Sequence, residues 1–200
     1  MANTRHSPSH ATPQIGLFGT TAPAQVHRLF FALFPDDAAC ARIAAFADEL
    51  RPTLSSRCRW LEASRYHLTL HFLGDNDELR PDLVAAAGKA AARVATPAFE
   101  VTLDTFASFK GSRPPGVLRT SPDEMPVLDL WKNLRSELAR EGFGARLDPE
   151  FTPHVTLFYG DSELPARAIA PIRWRAQEFR LIHSIIGQSR YSELGRWSLQ

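Results

Sequence analysis

Apolar residues along the chain fall into short runs and helical repeats punctuated by proline and glycine. The first run, "RLFFALF" at residues 28 to 34, stops at Pro35 and reads as a buried strand. Asp36 and Asp37 favour a helix start, and Ile43, Phe46, Ala47 and Leu50 then share one face until Pro52 ends the helix. Pro81 sits where a first helical turn tolerates it, and Leu83, Ala87, Ala90 and Val94 make a small-residue face suited to lying on a sheet. "FEVTLDTF" at 99 to 106 alternates like a half-exposed strand, "KGSRPPG" at 110 to 116 reads as a turn, and "VLRT" returns as a strand. Val127, Leu130, Trp131, Leu134 and Leu138 mark a third helix ended by Gly142. "EFRLIHSII" and "RYSELGRWSL" then predict two closing strands joined by a hairpin at "GQS". This order predicts an α+β fold of mainly antiparallel sheet with flanking helices.

Two segments repeat one grammar, "RYHLTLHFLG" at 65 to 74 and "TPHVTLFYG" at 152 to 160, with their leading histidines 87 residues apart. On a helix, His67 and His71 would share a face and could chelate a metal. The intervening residues are Leu68, Thr69 and Leu70, and this alternation predicts a strand instead. His67, Thr69 and His71 then point one way and Leu68, Leu70 and Phe72 the other. In the second copy His154, Thr156 and Phe158 share a face opposite Val155, Leu157 and Tyr159. A third His-x-Thr, His10 to Thr12, lacks flanking apolar positions. One copy in each half predicts two similar lobes with a cleft between them.

Composition narrows the function class. A net charge of +1, from 23 basic and 22 acidic residues, gives no case for wrapping long nucleic acid, so such a substrate would be gripped locally. The basic residues are 20 Arg to 3 Lys, and arginine is the better bidentate phosphate ligand. Cys40 and Cys58 lie in unrelated contexts, which favours a reducing cytoplasm over a disulfide framework. Residues 1 to 26 are rich in Ser, Thr, Pro and Ala and predict a disordered tail before a single bilobal domain at 27–200. No stretch approaches a membrane span, and the protein is expected to act as a monomer.

Two imidazoles across a cleft are the least equipment needed to move one proton onto and another off a phosphate ester near neutral pH. Each threonine hydroxyl, on the same strand face, can donate to a non-bridging phosphate oxygen as charge grows there. Such chemistry requires no metal or other cofactor. A zinc hydrolase using His67, His71 and His154 is the metal-dependent alternative, disfavoured because neither motif holds an Asp or Glu. A nucleotide-binding or RNA-end-binding module without turnover is the other, and the presence of both histidines and both threonines argues against it.

At these residues the chain resembles the two-histidine phosphoesterase superfamily, whose signature is a pair of H-x-[T/S]-x motifs, and within it the bacterial 2'-5' RNA ligase-like group of RNA 2',3'-cyclic phosphodiesterases. The likeness runs from "RLFFALFP" to the terminal "LIHSIIGQSRYSELGRWSL", roughly residues 28 to 199. It implies His67 as proton donor to the leaving oxygen, His154 as proton acceptor from the attacking water, and Thr69 and Thr156 as phosphate binders. It also implies RNA 2',3'-cyclic phosphate ends or cyclic nucleotides as substrates, a 2'-phosphomonoester product, and weak reverse ligation of 2'-5' linkages. Many relatives carry an arginine where this chain has Tyr159, and often a lysine where it has His71. His71 is therefore expected to supply conditional charge on the catalytic face, with Arg65, Arg113 and Arg190 as further phosphate-binding candidates. Trp60, Phe72, Phe106 and Phe109 are candidates for stacking a base, although core packing suits most of them better. His183 reads as a strand-packing histidine and His27 as peripheral.

Overall fold

The computed structural model describes residues 25–121, 125–188 and 190–200 of the 200-residue chain. The expected disordered tail therefore lies outside the described residues except for its last two. The elements run in the order β1 (His27–Leu33), α1 (Asp37–Leu50), β2 (Arg59–Trp60), β3 (Leu68–Asn76), α2 (Pro81–Ala91), β4 (Phe99–Ser108), β5 (Pro115–Thr120), α3 (Met125–Arg140), β6 (His154–Tyr159), β7 (Arg167–Ala176), β8 (Glu178–Ile185) and β9 (Tyr191–Ser198). No helix among the described residues is long and apolar enough to cross a membrane.

Local chemistry accounts for the helix limits. The Asp36 carboxylate accepts the Ala39 N–H at 2.7 Å and caps α1, while Pro81 starts α2 where no N–H is needed. Past the end of α3, Gly142 takes φ +88°, and the Phe143 N–H reaches back to the Leu138 carbonyl at 3.0 Å.

The strands pair antiparallel in the order β7-β4-β5-β6-β3-β1-β8-β9, with β2 added to β6. The two similar lobes are thus two four-stranded halves, β6-β5-β4-β7 and β3-β1-β8-β9, and each presents its His-x-Thr strand to the other. They join through the pair Leu68↔Val155. Both of those side chains are fully buried in the main core, which the three helices share with one face of the sheet. A smaller cluster of Phe30, Ala32 and Ile182 stands apart from that core.

The pattern reading missed β7. Its sequence, "RAIAPIRWRA", is interrupted by Pro171, and the half before that proline is exposed apart from the half-buried Ile169. Buried positions alternate only from Ile172 onward, which suits the edge place that the strand takes in the sheet.

Candidate active site

The pair Leu68↔Val155 sets the site. Continuing that antiparallel register by one residue each way brings His67 opposite Thr156 and Thr69 opposite His154. Opposed residues of an antiparallel pair project to the same side. With Leu68 and Val155 buried in the core, the two histidines and two threonines share the other side and line one cleft of about 480 Å³.

The ring orientations repeat as well. His67 Nδ1 lies 2.7 Å from the Arg65 carbonyl, and His154 Nδ1 lies 2.7 Å from the Thr152 carbonyl. A carbonyl only accepts, so each Nδ1 carries the proton and donates it, leaving Nε2 as the nitrogen that can exchange a proton with a ligand. Phe30 and Tyr191 pack on the His67 ring at centroid distances of 5.1 and 5.4 Å, and Phe109 meets the His154 ring edge-on at 4.8 Å. Among the described residues neither threonine hydroxyl is hydrogen-bonded to protein, so both donors are available to a ligand.

Burial dominates the acidity of both imidazoles. It pushes His67 down to about 4, against the opposing effect of the Arg65 carbonyl, and the neighbouring His154 and Arg65 push further in the same direction. Burial also lowers His154, the Thr152 carbonyl opposes it, and Arg119, its partner on β5, adds to the lowering. At neutral pH with nothing bound both rings are uncharged.

Strict alternation ends at the same place in both motifs. The β1–β3 register passes from Phe31↔His71 to Ala32↔Thr69 and leaves Leu70 as an extra residue; the β5–β6 register passes from Gly116↔Phe158 to Val117↔Thr156 and leaves Leu157 extra. A bulge three residues after each histidine reverses the facing of the residues beyond it. The expected facings of four residues are corrected by it. His71 is turned off the catalytic face into the protein, where it is 3% exposed, its Nε2 lies 2.9 Å from the Trp131 carbonyl, and its ring stacks on Trp131. Burial holds it at about 4, so it cannot supply the conditional charge expected of it. Tyr159 and Phe158 exchange places: Phe158 is buried in the core, and Tyr159 lines the cleft. Phe72, the matching fifth residue after His67, was expected on the core side with Leu68 and Leu70 and instead lines the cleft too.

Arginines stand around this centre. Arg59 lies over the Tyr159 ring at 5.3 Å and Arg28 over the Phe72 ring at 5.2 Å, one for each lobe. Arg28 is bound by Asp75, with two nitrogens each 2.8 Å from a carboxylate oxygen. Arg65 donates to the Tyr191 hydroxyl at 3.2 Å, and its buried Nε has no partner. Among the described residues neither Arg59 nor Arg65 pairs with a carboxylate. Arg65 was legible as a candidate; Arg28, Arg59 and Tyr191 were not, because their approach depends on strand order. Arg113 and Arg190 are exposed and are not part of the cleft lining. Of the candidate stacking aromatics, Phe106 is core, Trp60 packs on Phe158 at 4.5 Å, and Phe72 and Phe109 stand beside the dyad. His183 is buried and lies 3.0 Å from His27, its partner away from the dyad.

Among the described residues no group of three or more His, Cys, Asp or Glu converges as a metal site. The inward turn of His71 removes the third ligand that the zinc alternative needs.

The chain is similar to a curated RNA 2',3'-cyclic phosphodiesterase of Thermotoga maritima, 31% identical over 99 residues, which cover 49% of this chain and 51% of that protein. The alignment thus spans about half the length of that relative. A Bacillus subtilis RNA 2',3'-cyclic phosphodiesterase is 27% identical over 149 residues, 70% of this chain and 80% of that one. The fold matches the crystal structure of E. coli LigT in apo form with a TM-score of 0.72, at 29% identity over 88% of this chain and 98% of that one. It matches E. coli LigT complexed with 3'-AMP at 0.70 and 28% identity, over the same shares. The model of the 2'-5' RNA ligase superfamily matches residues 35–184, and with both motifs of the two-histidine phosphoesterases meeting in one cleft, the chain belongs to that superfamily of enzymes.

Proposed function

We propose that this protein is a cytoplasmic, metal-independent RNA 2',3'-cyclic phosphodiesterase that opens a cyclic phosphate end to a 2'-phosphomonoester, with 2'-5' ligation as a weak reverse reaction. The observation that carries this reading is the crosswise pairing of two His/Thr couples with both Nδ1 positions held by carbonyls. The activity of the Thermotoga and Bacillus relatives and the 3'-AMP held by E. coli LigT support it.

In this mechanism His154 Nε2 takes a proton from water as the water oxygen attacks phosphorus. The bond from phosphorus to the 3' oxygen breaks, and His67 Nε2–H protonates that oxygen. Thr69 and Thr156 donate to the non-bridging oxygens while charge accumulates on them. His67 must be charged to act, and the anionic phosphate beside it favours that form, offsetting the burial that keeps the empty site neutral. Arg59 and Arg65 supply the fixed charge that an arginine in place of Tyr159 would otherwise bring.

The test is turnover of RNA ending in a 2',3'-cyclic phosphate, with product position read by NMR and rates taken with and without EDTA. A 2'-phosphate formed at an unchanged rate in chelator is expected; no turnover, a 3'-phosphate, or loss of rate in chelator would each overturn the proposal.

Because Tyr159 faces the cleft, Tyr159→Arg adds a cation where the phosphate binds. Activity on a cyclic mononucleotide should stay level or rise. A tenfold loss of kcat/KM, about 1.4 kcal/mol, would instead assign the tyrosine ring a stacking role that the substitution destroys.

A further inference from the structure

The two motifs clamp their imidazoles alike, yet turnover needs one ring charged and the other neutral. A phosphate anion held between them favours the charged form of both. The acid gains from this, and the base is disabled by it. A charge near His154 must therefore oppose the phosphate there without being taken up by it.

Arg119 meets both conditions. It pairs with His154 across β5 and β6, and opposed residues share one side of the sheet. Its guanidinium lies over the Phe109 ring at 5.9 Å, and the same ring meets the His154 imidazole edge-on at 4.8 Å. Arg119 lines neither the main cleft nor a second hollow, of about 340 Å³, that opens beside His154. Arg65 differs, because it lines the cleft, where a bound phosphate compensates its charge.

The protein does not cancel the charge of Arg119 either. Among the described residues it has no salt-bridge partner, and its buried Nε has no acceptor. Asp104, beside the β4 residue that pairs with Arg119, instead accepts the Thr105 hydroxyl at 2.9 Å. The other charged or titratable groups around the dyad are His67, Arg28, Arg59, Arg65, Tyr159 and Tyr191 in the cleft, and His71, Asp148 and Glu150 around the second hollow. Among the described residues, Arg119 is the charge that acts on His154 in the free protein, where it adds to the effect of burial.

We propose that Arg119 is a positioning residue that assigns His154 the part of base. The proposal rests on the phosphodiesterase reading above. The Phe109 ring keeps the guanidinium off the ligand, while the charge still acts on the imidazole beside that ring. Without it, the one proton that the pair shares settles more often on His154. His67 is then left unable to protonate the 3' oxygen.

The experiment compares wild type with Arg119→Met, which keeps the length of the side chain and removes the charge, and with Arg119→Lys, which restores it. Histidine ring resonances followed by NMR against pH report each imidazole of the free protein without turnover. In Arg119→Met the His154 midpoint should rise by about half a pH unit or more, roughly threefold in its proton equilibrium. Arg119→Lys should bring it back, and His67 should move less. On 2',3'-cyclic AMP, the acid limb of the kcat profile should move to higher pH in Arg119→Met, so that the rate at a fixed pH on that limb falls about threefold. KM should change little, because Arg119 does not touch the ligand. An unmoved His154 midpoint overturns the proposal. So does a lower kcat whose acid limb stays in place, since Arg119 would then only support the fold. Absence of 2'-AMP from the wild-type reaction is a separate result, because it removes the phosphodiesterase reading itself.

Discussion

Replacing either cleft histidine with alanine should lower kcat on a cyclic phosphate by about 10²–10⁴, the usual contribution of a positioned proton-transfer group. His154→Ala removes the nitrogen that accepts from water, and His67→Ala the one that protonates the leaving oxygen. The change in substrate affinity should be smaller, because Thr69, Thr156, Arg59 and Arg65 remain. The pH dependence separates this chemistry from binding alone. Turnover needs one ring charged and one neutral, so kcat/KM should be bell-shaped, with limbs that belong to the pair. Burial lowers both rings in the empty site, His67 to about 4, so the charged form is lost as pH rises and the maximum of kcat/KM should lie on the acid side of the ordinary histidine value near 6.5. The maximum of kcat should lie at higher pH, since the bound phosphate favours the charged acid. A pH–rate series on wild type and both variants is the measurement. Flat profiles with rates near wild type in either variant would remove the two-histidine mechanism.

Gly116→Ala should be among the most damaging single changes outside the dyad. An added Cβ would stand 2.2 Å from Phe158 Cζ and 2.3 Å from Cε1, well inside van der Waals contact. The ring has no easy retreat, for Phe158 is 1% exposed and packs against Trp60 at 4.5 Å and Phe106 at 6.4 Å. Overpacking of this kind costs about 1–3 kcal/mol. For a chain of this length each kcal/mol lowers Tm by about 2–4 °C. Because Phe158 adjoins Tyr159 at the bulge, a displaced ring also moves the cleft wall, so KM should rise together with the loss of stability. Thermal unfolding decides the point, and a Tm within a degree of wild type would show that the ring has room.

The same depressed histidines act on folding. In the unfolded chain they take up protons near 6.5, whereas folded His67 and His71 resist protonation until about 4. Between those values the unfolded state binds more protons, so stability should fall as pH drops from about 6.5 toward 4. Denaturant unfolding of the free protein at several pH values measures this directly; a stability that rises with acid across that window would show that the rings are charged in the fold.

The helices and most strands were legible because their burial is periodic: Ile43, Ala47 and Leu50 on α1 and Val127, Leu130, Leu134 and Leu138 on α3 are the buried positions that spacing singled out. The repeated His-x-Thr was legible for the same reason, since Leu68 and Val155 identify the core side of each strand. Extrapolation failed beyond three residues. A bulge obeys no pattern in one strand's own sequence; it arises from pairing with β1 in one lobe and β5 in the other, so His71, Phe72, Phe158 and Tyr159 were assigned to the wrong sides. Arg28 and Arg59 were missed because only the sheet order brings their strands beside the motif strands.

The paired bulges at Leu70 and Leu157 have a consequence for how such a site can be altered. They detach the fifth residue after each histidine from the core without moving the histidine itself. Phe72 and Tyr159 border open space, and the ring packed most tightly nearby belongs to the neighbouring Phe158. One codon at either place can therefore exchange an aromatic for a cation while no buried contact has to be rebuilt. Grip on phosphate and affinity for a base become separately adjustable settings on an otherwise unchanged frame.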